Sequence, residues 1–172
     1  MPTTANRGYR FPASTDNTQI WQHIQNTASD IDADMAAQLA AWTSYVPVWT
    51  STGTAPSLGN GTITGRYKQV GKLVVATIKV VFGSTSTFGT GAYSFSLPVA
   101  ASGSTDYVGS AYMRDASGTS TGHYAGIAVV TAVSPTVLTA VEASGHTQLQ
   151  ATLPVVWANT DFLEFTITYE AA

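Results

Sequence analysis

The chain has 172 residues, of which 44% are hydrophobic and only 10% charged, with 7 Lys plus Arg against 10 Asp plus Glu and no cysteine. That length fits one β-sandwich-sized domain with an appendage and argues against two full domains. A formal net charge of −3 speaks against nucleic acid as a partner, and the lack of cysteine removes disulfides, thiolate catalysis and Cys-type zinc sites.

Residues 1–14, "MPTTANRGYRFPAS", are polar, carry Pro2, Gly8 and Pro12 and show no period, so an extended arm is expected. The opening has no apolar core of signal-peptide length, and no apolar run approaches about 18 residues. The expectation is a chain made in the cytosol that does not cross a membrane by itself.

Asp16 followed by Gln19 reads as a capping-box-like start. A helix over residues 15–42 follows, with apolar positions at Ile20, Ile24, Ala28, Ile31, Met35, Leu39 and Trp42. The steps of four, four, three, four, four and three cover 22 residues, about 3.67 per step, nearer an 11-residue than a 7-residue repeat. The other faces carry Gln22, Gln25, Asn26, Asp30, Asp32, Asp34 and Gln38. So narrow a stripe has three uses: packing on the chain's own β region, self-association about a symmetry axis, or docking on another protein.

From residue 43 to 172 the period changes to two. In "LVVATIKVVF", Val74, Ala76, Ile78, Val80 and Phe82 share one face; Tyr93, Phe95 and Leu97 alternate with serines, and Leu163, Phe165, Ile167 and Tyr169 with Glu and Thr. Further strands are expected in "YVGSAYM", "YAGIAVVTAV", "TVLTAVE" and "TQLQATL", and Asn60-Gly61 reads as a hairpin-type turn. About eight short strands without intervening helices predict a mainly β fold: a two-sheet, jelly-roll-like antiparallel sandwich behind the arm and helix.

Chemistry-bearing patterns are sparse. His23, His123 and His146 have no ligand-spaced partners, and "DIDAD" from Asp30 lacks the glycine and closing Glu of a calcium loop. No phosphate loop or nucleophile elbow is present, and the carboxylates of the β region are scattered, so neither enzymatic activity nor a cofactor is expected. Arg66, Lys68, Lys72 and Lys79 form a loose basic cluster that reads as a solvated face. Trp42, Tyr45, Trp49 and Trp157 have the shape for a sugar-stacking platform, but Trp42 and Trp49 read better as core at the helix-to-strand junction. The loop "DASGTSTGHY", with Asp115, His123 and Tyr124 near Tyr107 and Tyr112, is the outward-facing candidate for contact with a carbohydrate receptor.

Two stretches resemble virion proteins of tailed phages of actinobacteria. "YRFPASTDNTQIWQHIQNTASDID" is similar to the opening of many such proteins, and "AWTSYVPVWTSTGTAPSLGNGTITGRYKQVGKLVVATIKVVFGSTSTFGTGAYSFSLPVAA" to a β-module of phage tail-associated proteins. Thr27 stands where that family usually has Leu, and no long spacer separates helix from β-module. The resemblance implies a non-enzymatic virion surface protein, homotrimeric, held to a tail or major capsid protein by arm and helix. It is expected to serve as a small tail-tip or tail-fibre adhesin (a minor tail protein) meeting host-surface carbohydrate, or alternatively as a capsid decoration protein.

Overall fold

The computed structural model describes residues 2–13, 20–118, 122–142 and 147–172. The chain divides into two compact units, Met1–Ala41 and Trp42–Ala172. The Asp16–Gln19 capping box and His146 lie outside the described residues.

The first unit holds one helix, α1 (Ile20–Leu39). The arm before it is not extended as its composition led us to expect. It reverses direction, with Thr3 bridged antiparallel to Arg10, the Thr4 N–H donating to Tyr9 O at 2.9 Å and the Phe11 N–H to Pro2 O at 2.9 Å. Hydrophobic periodicity cannot report such a clip, because polar partners hold it. Arg7 and Arg10 find Asp34 and Asp30 on α1, at 2.7 and 2.6 Å.

The second unit is mainly β, with strands β1 (Thr43–Tyr45), β2 (Trp49–Ser51), β3 (Thr62–Val70), β4 (Leu73–Val81), β5 (Tyr93–Ser96), β6 (Tyr107–Asp115), β7 (Gly122–Val130), β8 (Val137–Glu142) and β9 (Phe162–Glu170). They form one antiparallel ladder in the order β1-β3-β4-β9-β6-β7-β8-β5-β2. A flat sheet of nine strands would be about 38 Å wide at the usual strand spacing. Yet β1 and β2, at its two ends, are joined only by Val46-Pro47-Val48, which reach across about 14 Å at most. The ladder must therefore curl until its edges approach each other. Phe95 on β5 lies four strands from Phe165 on β9, but their rings are 5.0 Å apart. The two layers of the expected sandwich are thus two halves of one curled sheet.

Alternation decides what fills the interior. Val74, Ala76, Ile78 and Val80 of β4, Leu163, Phe165, Ile167 and Tyr169 of β9, Met113 of β6 and Leu138 of β8 are all at most 3% exposed. Phe82, Phe88, Tyr93 and Phe95 surround Trp49, and Trp157 lies against Phe82. Buried phenols titrate late for want of solvation. Burial pushes Tyr169 up to about 12, and its hydroxyl donates to Val99 O.

Two local expectations change. Asn60 does sit in a turn, the Gly61 N–H donating to Leu58 O at 2.9 Å, but the turn closes no hairpin; the Asn60 Oδ1 accepts from the Thr85 N–H and hydroxyl, both at 3.0 Å, tying the approach to β3 onto the loop after β4. The β3–β4 hairpin turns instead at Gly71-Lys72, between the paired Val70 and Leu73. Gly71 sits at φ 60°, where a side chain would be strained. "TQLQATL" is not a strand. It holds a tight Gln150–Leu153 bridge, with Leu149 buried and its N–H donating to Ala140 O at 2.8 Å.

Candidate functional site

Unit 1 is assembled from its polar side. Asp30 receives the Arg10 guanidinium and also the Arg10 backbone N–H at 2.9 Å. Asp34 takes Arg7 and the Tyr9 hydroxyl, the latter at 2.8 Å. The Thr27 hydroxyl donates to Arg10 O at 2.6 Å. Hydrogen bonds from the Arg10 side chain, then from its backbone N–H, hold the Asp30 carboxyl down at about 2. The hydrogen bond to Asp34 raises Tyr9 above its ordinary value.

The apolar stripe takes the opposite course. Ile20, Ile24, Ala28, Ile31, Met35 and Leu39 fall within about 100° of arc on a regular helix. They are exposed, Ile24 at 65% and Leu39 at 75%, and no residue of α1 is buried. Ala28 and Ala36 leave an open hollow of about 540 Å³ flanked by Ile31, Met35 and Leu39. Trp42, expected to continue the stripe, falls beyond the end of α1 and within the β unit, 38% exposed.

A second constellation lies on the outward face of the β unit, where pairing registers place side chains in rows. One row runs Thr62, Val81, Phe162, Arg114, His123; the next Thr64, Lys79, Glu164, Tyr112, Ala125; a third Arg66, Thr77, Thr166, Ser110, Ile127. The Phe162 ring is shared by two cations, with Lys79 Nζ at 5.0 Å and the Arg114 guanidinium carbon at 5.8 Å from its centroid. Tyr112 meets the same ring edge-on at 5.7 Å and shares a 2.5 Å hydrogen bond with His123 Nδ1. Lys79 also pairs with Glu164. The Arg114 Nε is enclosed and has no acceptor among the described residues.

Of the three residues expected to face a receptor from the "DASGTSTGHY" loop, only His123 is well exposed. Tyr124 follows it on β7 and so points to the opposite face, where it packs against the core. The Asp115 carboxylate accepts from the Ser117 and Gly118 N–H groups, each at 3.2 Å, and is occupied in holding its own turn. Asp161, with no exposed surface, anchors this loop from below. Its Oδ1 accepts from Ala116 and Ser117 N–H at 2.8 and 2.9 Å, and its Oδ2 from Ala158 N–H at 2.8 Å. The tryptophans do not make a platform, since Trp157 is buried with its indole N–H on Gln150 O and Trp49 lies half-buried in the aromatic cluster.

Arg66 and Lys79, expected on a solvated face, are exposed; Arg114 and Phe162 gave no signal in the sequence. Parity along β3 and β4 marks the first pair as outward. Only the β4–β9–β6 pairing brings Phe162 and Arg114 alongside them. Among the described residues no three His, Asp or Glu side chains gather as a metal site, and no helix is long and apolar enough to cross a membrane. No protein-family model, no curated protein and no solved structure matches the chain.

Proposed function

We propose that this chain is a non-enzymatic surface protein of a tailed-phage virion, assembled as a homotrimer through the α1 stripe and attached by its N-terminal unit to another virion protein. In this reading the β unit faces outward as a small tail-tip or tail-fibre adhesin. The observation that carries it is the inverted arrangement of α1. Its own arm covers the acidic side, while Ile20, Ile24, Ile31, Met35 and Leu39 stand in solvent. A surface helix ordinarily does the reverse, and an apolar stripe of this kind calls for a partner. A second copy of the same helix supplies matching apolar residues, and the small Ala28 and Ala36 give room for them between Ile31, Met35 and Leu39. The phage resemblance of the N-terminal segment and of the β-module supports the virion setting.

Quantifying the chain in purified particles, together with light scattering on the isolated protein, tests this reading. A trimer present at a handful of copies per particle is the expected result. Hundreds of copies would move the protein to the head shell as a decoration protein. Absence from particles would overturn the virion reading, and a monomer at high micromolar concentration would overturn self-association.

A further inference from the structure

We propose that the outward face of β3, β4, β9 and β6 binds an acidic polysaccharide, a polymer whose sugar rings carry carboxylates. The proposal deepens the attachment reading and rests on it for biological setting; the binding itself rests on this face alone.

The first ground is the distribution of charge. The whole chain is acidic by 3, yet Arg66, Lys79 and Arg114 project from this one face, and in the three rows described above Glu164 is the only acid. Lys79 is taken by Glu164, but the two arginines are less fully used. Neither Arg66 nor Arg114 has a carboxylate partner among the described residues. Guanidinium groups with free donors are well matched to carboxylates, which they grip with charge-assisted hydrogen bonds.

Shape and the accompanying groups narrow the ligand. Thr64, Arg66, Thr77, Lys79, Glu164 and Thr166 border a shallow depression of about 330 Å³. A small molecule is normally held in a site that encloses most of its surface; an open face suits a polymer lying across strands. Arg66 and Arg114 are three strands apart in the ladder and four residues apart along it, about 14 Å across and about 13 Å along at the usual spacings, so a single ring would not use both. Threonine hydroxyls and the Glu164 carboxylate supply acceptors for sugar hydroxyls. The exposed Tyr112 beside Phe162 offers an aromatic surface to the apolar side of a ring. Glu164, in the middle of the cations, sets the face against a polyphosphate. A nucleic acid would bring closely spaced charge onto that carboxylate, whereas a polymer with one carboxylate per ring and hydroxyls between can place a hydroxyl there.

The test uses the full-length protein and polygalacturonate as probe, with neutral dextran and single-stranded oligo(dA) as comparators, at low and at physiological salt. Expected is binding to polygalacturonate that weakens with salt and is at least tenfold tighter than binding to dextran. Arg66→Glu should reduce it at least tenfold with an unchanged melting temperature, and Arg66→Lys should retain most of it. Absence of polygalacturonate binding, equal binding of dextran, tighter binding of oligo(dA), or an Arg66→Glu variant that binds normally would each overturn the proposal. Carrying Arg66→Glu into the phage separates the two readings. If the isolated protein loses the polymer while adsorption to the host is unchanged, the binding face stands and the attachment role falls.

Discussion

In the β unit Leu163, Phe165 and Ile167 are each at most 2% exposed, whereas in the N-terminal unit Ile20, Ile24 and Leu39 are each at least 65% exposed. The same residue types, spaced with equal regularity, are used in opposite ways. A period of two on strands that curl into one ladder encloses its own apolar face. A period near 3.6 on a single helix cannot, because the arm that folds against α1 brings arginines, a tyrosine hydroxyl and backbone groups to the acidic side. The difference teaches that the β unit satisfies its apolar residues privately, whereas the helix leaves its stripe uncovered within its own unit.

The largest effect should come from breaking the private core. Phe165 packs on Phe95 at 5.0 Å and is 2% exposed, so Phe165→Ala removes a contact that joins the two halves of the curled sheet. A loss of about 3–5 kcal/mol in β-unit stability is expected, measured by denaturant unfolding. The corresponding truncation Leu39→Ala, at an exposed position, should change monomer stability by no more than about 0.5 kcal/mol. Equal costs at the two positions would erase the contrast between the units.

The second test sharpens the comparison from the other side. Ile24→Asp places a carboxylate in the stripe, where association would have to desolvate it. At least tenfold weaker self-association is expected in sedimentation velocity, with the β-unit melting transition unmoved. Unchanged association would mean that the stripe is not the contact between copies.

How far the sequence reached follows the same division. Strands with one buried face announced themselves through Val74 to Phe82 and Leu163 to Tyr169, because burial imposes the period directly. The helix was legible from its period near 3.6, although its stripe stays exposed, apart from Trp42, which continues the spacing after the helix has ended. Polar architecture was not legible. Nothing in "MPTTANRGYR" says that Arg7, Tyr9 and Arg10 will reach back to Asp34 and Asp30, because those bonds join residues 20 to 27 positions apart. Asn60-Gly61 marked a turn that is present but not the hairpin, because asparagine's amide here ties two loops together as well as sitting in the turn. The outward basic face was half visible, since Arg66 and Lys79 share a parity rule, but Phe162 and Arg114 join them only through the strand order. His123 and Tyr124 were grouped by adjacency, although neighbours on a strand face opposite ways.

The smallest effect concerns the clip and depends on pH. Asp30 is held at about 2 against an ordinary 3.8, chiefly by its hydrogen bonds from the Arg10 side chain. A carboxyl whose value is depressed in the docked state favours docking only while it is ionised. Its contribution is therefore complete above about 3.8 and is lost as pH falls toward 2. At the alkaline end the sign reverses. Tyr9 is raised by donating to Asp34, so its contribution is complete below the ordinary phenol value and is lost as pH climbs through the raised one. The arm should thus stay docked across the neutral range and release at either extreme. The Arg10 amide, which donates to Asp30 Oδ2 at 2.9 Å, is the reporter. Its NMR shift should move to that of a free arm between about pH 4 and pH 2, while β-unit amides such as that of Phe165 stay put. Asp30→Asn should give the released shift already at neutral pH. An Arg10 amide that ignores acid would mean that Asp30 does not hold the arm, leaving the Thr27 hydroxyl and the Asp34 contacts to do so.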